Sequence, residues 1–235
     1  MARPRAFDND VALDAAVACF WRRGLDATSV RDLADEMGLN APSLYNAFGD
    51  KRGLFVLALE RYAATTMRAR LASLAEIRSP TVAVRTFFRT TIDRSLADVE
   101  RRGCFIINSA LDVAPHDAEI GQAVAGYLCE IEAFLRGRLT AARQMGEIPD
   151  NVDPRDMGRL LLGLLVAIRV LARTGVTRAE LESMTRPALA LLRGGQTKIR
   201  GAAQSARKRS PAPKRQDTTL PSTAKQNRAA KDNTA

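Results

Sequence analysis

The chain has 235 residues, 46% of them hydrophobic and 26% charged, and a net charge of +10. That is ordinary for a globular protein and long enough for a small head and a larger body. The longest strongly apolar run, Leu160 to Ile168, is too short to span a bilayer. No charged-then-apolar start with a cleavage site is present, so a cytoplasmic protein without a membrane partner is expected.

Three cysteines, Cys19, Cys104 and Cys129, lie far apart with no C-x-x-C pairing, which indicates neither a disulfide framework nor a zinc site. There is no G-x-S-x-G, P-loop, G-x-G-x-x-G or H-E-x-x-H, so no catalytic residue, metal ligand or cofactor is assigned and an enzyme is not expected. The lone His116 follows Pro115 and reads as a loop or cap residue.

The charge is unevenly placed. From residue 196 onward ten Lys or Arg face two Asp, which accounts for +8 and leaves +2 for everything before. Any affinity of that earlier part for a polyanion must therefore come from a local patch and from geometry.

The first residues, MARPRAF, carry Arg3 and Arg5 and no apolar period; they read either as a basic arm that touches phosphates or as a frayed terminus. Val11, Ala15, Ala18, Cys19 and Phe20 to Trp21 mark a helix from about Asn9 to Arg23, ended by Gly24. Ser29 is a good N-cap, with Asp32 as an acidic form of the capping box. Val30, Leu33, Ala34 and Met37 follow at helical spacing before Gly38. Asn40 caps the next helix, Pro42 fits its first turn, and Leu44, Ala47 and Phe48 share one side before Gly49.

The other side of that second short helix carries Ala41, Ser43, Tyr45 and Asn46. These are small or uncharged hydrogen-bonding residues where an ordinary solvated helix would carry Glu and Lys. Two short helices on a glycine-containing turn, the second with such a face, is the helix-turn-helix plan for the major groove. Asp50 then caps a helix that starts at Lys51 and runs through Leu54, Phe55, Ala58 and Tyr62 toward Ala75, a mechanical link between head and body. Lys51 is the sole lysine before the tail, placed at a helix N-terminus where an anion is favoured.

The segments ARPRAFDND, ALDAAVACFWRRGLDATSVRDLADEMGLNAPSLYNAFGDK and RGLFVLAL, from Ala2 to about Leu59, closely resemble the TetR family of bacterial transcriptional regulators. Within it they resemble the branch with an F-W-x-x-G first helix and an L-N-x-P-S-L-Y-x-A-F-G-D-K recognition segment. The resemblance implies that Ser43, Tyr45 and Asn46 lie on the recognition helix, that Thr28 and Ser29 contact the DNA backbone, and that Lys51 contacts a phosphate. With Asn40, Ala41 and Pro42 these make the candidate DNA-contacting set. It also implies an all-helical dimer with a variable second domain for a small molecule.

In the body, Ser79-Pro80 breaks the chain, and Val82, Val84, Phe87, Phe88, Thr91, Ile92 and Leu96 form an apolar band to about Glu100. Cys104 to Ala114 reads as a short helix and His116 to Gly146 as a long amphipathic one. From Asp153 to Arg173, Met157, Leu160, Leu161, Leu164, Ile168 and Leu171 make one stripe, and Leu162, Val166 and Val170 a second. A helix apolar on two faces must bury both. With Leu181, Met184, Ala188 and Leu191 of the last helix, Leu162, Val166 and Val170 are the expected two-fold dimer interface. An effector cavity is expected at Phe88, Ile92, Phe105, Asn108, Tyr127 and Leu161.

The expected fold is all-α: a three-helix helix-turn-helix head (1–60), a larger helical effector-binding and dimerisation domain (61–193) and a disordered basic tail (194–235). The expected function is a regulator, a repressor, that binds palindromic double-stranded operator DNA as a homodimer and is released by a small-molecule effector. Two alternatives stand. Cys104 opens a helix behind Arg101 and Arg102, a cationic setting in which reactive thiolates occur, so it is either a redox or electrophile sensor or a structural cysteine. The tail, alternatively, makes the protein a nucleoid-type binder that grips phosphates without reading sequence.

Overall fold

A computed structural model describes residues 8–193, and the N-terminal arm and basic tail lie outside those described residues. The described chain is helical throughout, with no strand. The head contains α1 (Asn9–Arg23), α2 (Val30–Met37), α3 (Ala41–Phe48) and the start of α4 (Lys51–Tyr62). The body contains α5 (Ala69–Ala75), α6 (Pro80–Ala97), α7 (Phe105–Asp112), α8 (Ala118–Gln144), α9 (Pro154–Leu171) and α10 (Arg178–Leu191).

The helix ends follow from the capping residues. Asp8 accepts from the Asp10 and Val11 N–H groups, and Asp117 does the same for Glu119 and Ile120 at the start of α8. Asp153 with Pro154 opens α9, and Thr177 with Glu180 forms a complete capping box on α10. Cys104 occupies the cap position of α7 without a side-chain cap bond.

The buried face of α1 is Ala12, Ala16, Cys19 and Phe20, whereas Val11 is 65% exposed. The sequence placed Val11 on that face; the small residues at positions 12 and 16 occupy it instead, and they let α1 lie close against α4. Phe20 meets Phe55 edge-on at 5.0 Å, and Phe55 meets Phe105 of α7 at 5.3 Å. One apolar core therefore runs from the head through α4 into the body.

The chain from Lys51 to Ala75 is continuous but not uniform. Between α4 and α5, Ala63–Arg68 form a π-helical turn in which the Ala69 N–H reaches back to the Ala64 carbonyl. No proline or glycine marks it in the sequence. On α6 the inward band is Ala83, Val84, Phe87, Phe88, Thr91, Ile92 and Ser95, while Val82 and Leu96 of the expected band face outward. Thr91 and Ser95 tolerate burial because each hydroxyl donates to a carbonyl one turn back, at 2.7 and 2.8 Å.

Three arginine clusters join head to body or lace the link helix. Arg52 donates to Asp117 at 2.6 and 2.8 Å and to Glu119 at 2.8 Å. Arg61 holds Asp10 and Asp14 of α1, and Arg68 holds Glu60 and Glu130 of α8. No helix among the described residues is long and apolar enough to cross a membrane.

Candidate DNA-binding site

The site begins with the turn that sets α2 against α3. Ser29 Oγ accepts the Asp32 N–H at 3.1 Å, and the Asp32 carboxylate accepts the Ser29 N–H at 2.9 Å, closing the capping box. The Ser29 hydroxyl, which donates to the Asp32 carboxylate at 2.6 Å, then the Ser29 N–H and the Arg23 guanidinium, hold the Asp32 carboxyl down at about 2. Gly38 ends α2 at φ 65°, a left-handed conformation that costs a side-chain-bearing residue strain. Asn40 Oδ1 then accepts the Ser43 N–H at 2.8 Å to start α3.

Inside the head, Leu33, Leu44 and Leu54 are fully buried and Phe48 nearly so, which fixes α3 by its inner side. Its outer side presents Pro42, Tyr45 and Asn46 as exposed residues, with Ala41 and Ser43 half-buried beside them. Tyr45 is 48% exposed. The helix carries no charged side chain, so what it offers is a hydroxyl, a phenol, an amide and shape. That set suits base edges in a groove, where amides and hydroxyls find donors and acceptors without a charge to desolvate.

Two expected contacts are placed differently. Thr28 is fully buried and its hydroxyl donates to the Gly24 carbonyl at 2.6 Å, so its side chain cannot reach a DNA backbone. It closes the loop between α1 and α2 instead. The Lys51 ammonium donates to the carbonyls of Leu25 and Thr28 at 3.0 and 3.1 Å. It ties the same loop to the start of α4 from a half-exposed position. Ser29 remains exposed at the cap. The most exposed nearby cation, which the sequence reading passed over, is Arg31 on the first turn of α2, with a side chain 91% exposed and only a 3.9 Å contact to Asp35. Its position two residues after the cap was the available signal.

A family model for bacterial regulatory proteins of the tetR family matches residues 12–58, and a tetracyclin repressor-like C-terminal domain model matches residues 80–188. The HTH-type transcriptional repressor ComR of Escherichia coli is 32% identical over 180 residues, spanning 76% of this chain and 86% of ComR. The chain belongs to the TetR family of bacterial regulatory proteins. It is thus a DNA-binding transcriptional regulator and not an enzyme. The repressor BdcR of Escherichia coli is 48% identical over 63 residues, 27% of this chain and 32% of BdcR. Among solved structures, a cysteine mutant of the TetR family regulator CifR, complexed with 26-bp double-strand operator DNA, superposes with a TM-score of 0.72 at 32% identity. That match covers 80% of this chain and 98% of CifR.

Of the expected effector residues, Phe105 and Asn108 line one cavity beside α1, and Phe88, Ile92, Tyr127 and Leu161 are not on it. Phe88, Ile92, Phe105 and Leu161 are core residues with 2% exposure or less. Asn108 donates to the Arg102 carbonyl at 2.7 Å, and Tyr127 donates to Glu60 at 3.0 Å. Burial, then that Glu60 contact, pushes the Tyr127 hydroxyl up to about 12. The stripe positions had been apolar for the protomer's own core. Cys104 lies at a different point, its sulfur accepting from the Tyr62 hydroxyl at 3.7 Å.

The interface residues divide in the same way. Leu181 and Ala188 are buried within the protomer, on the inward α10 face with Thr185 and Leu192. They cannot meet a partner. Leu162, Val166, Val170 and Met184 are half-buried, and Leu191 is 57% exposed. On α9, Leu160 is 48% exposed and a Cβ at Gly163 would meet nothing within 4 Å. The outward surface of α9 is largely apolar beside Gly163, with the exposed Arg159 one turn before it.

Proposed function

We propose that this protein is a repressor that binds a palindromic operator as a homodimer in the bacterial cytoplasm. The observation that carries the reading is the uncharged, hydrogen-bonding outer face of α3, held rigid by a capped turn on either side. The outward surface of α9 around Leu160, Gly163, Val166 and Val170, with Met184 and Leu191 of α10, supports pairing of two copies. Pairing would hold two α3 helices about one DNA turn apart, roughly 34 Å, and each alone would bind weakly.

Release by an effector requires a body conformation in which the heads are wrongly spaced, and an effector that prefers it. The α4 helix supports that coupling. It begins beside Lys51 at the reading head, carries Arg52 against Asp117, and continues into the π-helical turn in the body. The operator complex of the similar CifR supports the DNA-binding part.

The test is a gel-shift titration on selected and random duplexes, with the full chain and with residues 196–235 deleted. A preference for the selected duplex that survives deletion is expected. Equal affinity for both duplexes would mean that the basic tail dominates and that the regulator reading fails.

A further inference from the structure

Most arginines in the described head and link are matched by carboxylates: Arg22 by Glu36, Arg23 by Asp32, Arg52 by Asp117, Arg61 by Asp14 and Arg68 by Glu130. Three arginines in the body break this pattern together. Arg70 of α5, Arg94 of α6 and Arg169 of α9 line one recess between the π-helical turn, α6 and α9. The recess opens into a cleft of about 300 Å³ that shares Tyr62, Thr66, Arg94 and Arg169 with it and is bordered by Trp21 and Arg102.

None of the three guanidinium groups has a carboxylate partner among the described residues. Arg70 donates to the Thr90 and Thr91 hydroxyls at 2.8 and 2.7 Å and to the Phe87 carbonyl, and its Nε is buried without an acceptor. Arg169 donates to the Ser95 hydroxyl at 3.1 Å. Arg94, exposed at the mouth, makes no hydrogen bond or ion pair among the described residues. The acidic residue at the cleft, Asp98, is spent on the Arg102 backbone and side chain at 2.7 and 3.1 Å. Burial, then the charges of Arg169 and Arg94, lower Arg70 to about 10. Arg70 and Arg169 are half-buried and Arg94 stands exposed at the mouth, and like charges gathered around the half-buried pair are unfavourable unless an anion offsets them.

The rest of the recess is mostly apolar, walled by Met67, Leu71, Phe87 and Leu165, with Tyr62, Thr66 and Cys104 also on its lining. A bare inorganic ion would leave that wall unused. We infer that the body binds a small organic anion, a compact apolar or aromatic group bearing one carboxylate or comparable oxyanion, with its charge among Arg70, Arg94 and Arg169. The inference rests on the reading that the body takes an effector, and it names the chemical class. The recess itself offers about 40 Å³ and the adjoining cleft about 300 Å³, together at the small end for ligand sites, which favours a single ring or short chain over a long acyl group.

The position also supplies a route to the head. Tyr62 of α4 meets Trp21 of α1 edge-on at 5.1 Å, and Arg102 lies 4.4 Å over the Trp21 ring. An occupant drawing Arg94 and Arg169 inward presses on Tyr62 and on Thr66 in the π-helical turn, where α4 has the least regular hydrogen bonding.

Trp21 is the sole tryptophan, so its fluorescence reports occupancy in the full chain. Benzoate and hexanoate would be titrated beside benzamide and hexanol, their uncharged counterparts, and beside sulfate. The expected result is saturable change with the carboxylates and binding at least about tenfold weaker for the uncharged pair and for sulfate. Arg169→Gln should weaken benzoate at least about tenfold, as should Arg94→Gln, whose exposed position leaves folding intact by circular dichroism; Arg143→Gln on the exposed end of α8 should not. Equal binding of benzamide and benzoate, equal binding of sulfate and benzoate, no response to any carboxylate at millimolar levels, or indifference to both arginine variants would each overturn the inference. Sequence preference on DNA without carboxylate binding would sink this site alone, and carboxylate binding without sequence preference would sink the regulator reading alone.

Discussion

Replacing Lys51 by Met separates two roles that one lysine at a helix start can play. In the structure its ammonium makes two hydrogen bonds, at 3.0 and 3.1 Å, to carbonyls on the loop that enters α2. Hydrogen bonds from a charged donor contribute roughly 1.5–3 kcal/mol each, and water replaces part of this at a half-exposed site. Leu25 keeps a second donor, the Thr28 N–H at 3.4 Å, so its carbonyl is not orphaned. A loss of about 2 kcal/mol follows for the pair, or roughly 4–8 °C in melting temperature for a chain of this size. The Met chain covers the same apolar stem, so packing is kept. Operator affinity should fall because the loop that aims α2 and α3 is loosened, but the slope of log affinity against log salt should stay the same. If Lys51 instead neutralises a phosphate, the melting temperature stays put and the salt slope shrinks by about one. That second pattern would refute the tie.

Four further outcomes are expected. Ser29→Ala removes the cap and half of the capping box and should cost about 1 kcal/mol by denaturant unfolding; no loss would mean the α2 start is held by packing alone. Gly163→Arg enters open space in the protomer and should leave its helical circular-dichroism spectrum unchanged, while light scattering shows dimers giving way to monomers and the melting temperature falls with the lost association; a dimer that persists would remove α9 from the interface. Asp117, held by Arg52 and then by the Ile120 N–H, and Asp32 both lie near 2 in the folded protein. Because folding depresses them, their contribution is complete above about pH 4 and is lost as pH falls toward 2; Asp117→Asn should flatten the melting curve over that window, and an unchanged curve would count against the Arg52 latch. Cys104→Ser should leave DNA binding intact, and a thiol-sensing role survives only if the variant also stops oxidant-induced release.

The head was largely legible because its shape is written in local punctuation. Ser29, Asp32, Gly38, Asn40, Gly49 and Asp50 each act on backbone groups within four residues, so their roles follow from spacing alone. Thr28 was misplaced because its hydroxyl turns back onto the Gly24 carbonyl inside the loop between α1 and α2, and Lys51 because its partners Leu25 and Thr28 are brought to it only once α4 packs on α1. In the body, periodicity identified the helices but not what each stripe meets. Leu181 and Ala188 have the spacing of an interface, yet their stripe is the one that faces α9 and α6 within the protomer. The three arginines of the recess were the least visible. Arg70, Arg94 and Arg169 stand on three separate helices, and in sequence each looks like an ordinary solvated charge.

The most direct test of the account is selection of bound duplexes from a random pool by the full chain and by a Tyr45→Ala, Asn46→Ala double variant. The account predicts that the unmodified protein enriches one palindrome with half-sites about one DNA turn apart, and that the variant, folded to the same melting temperature, loses the enrichment while keeping salt-sensitive binding to any DNA. Enrichment of the same palindrome by both proteins would contradict the assignment of sequence reading to the outer face of α3.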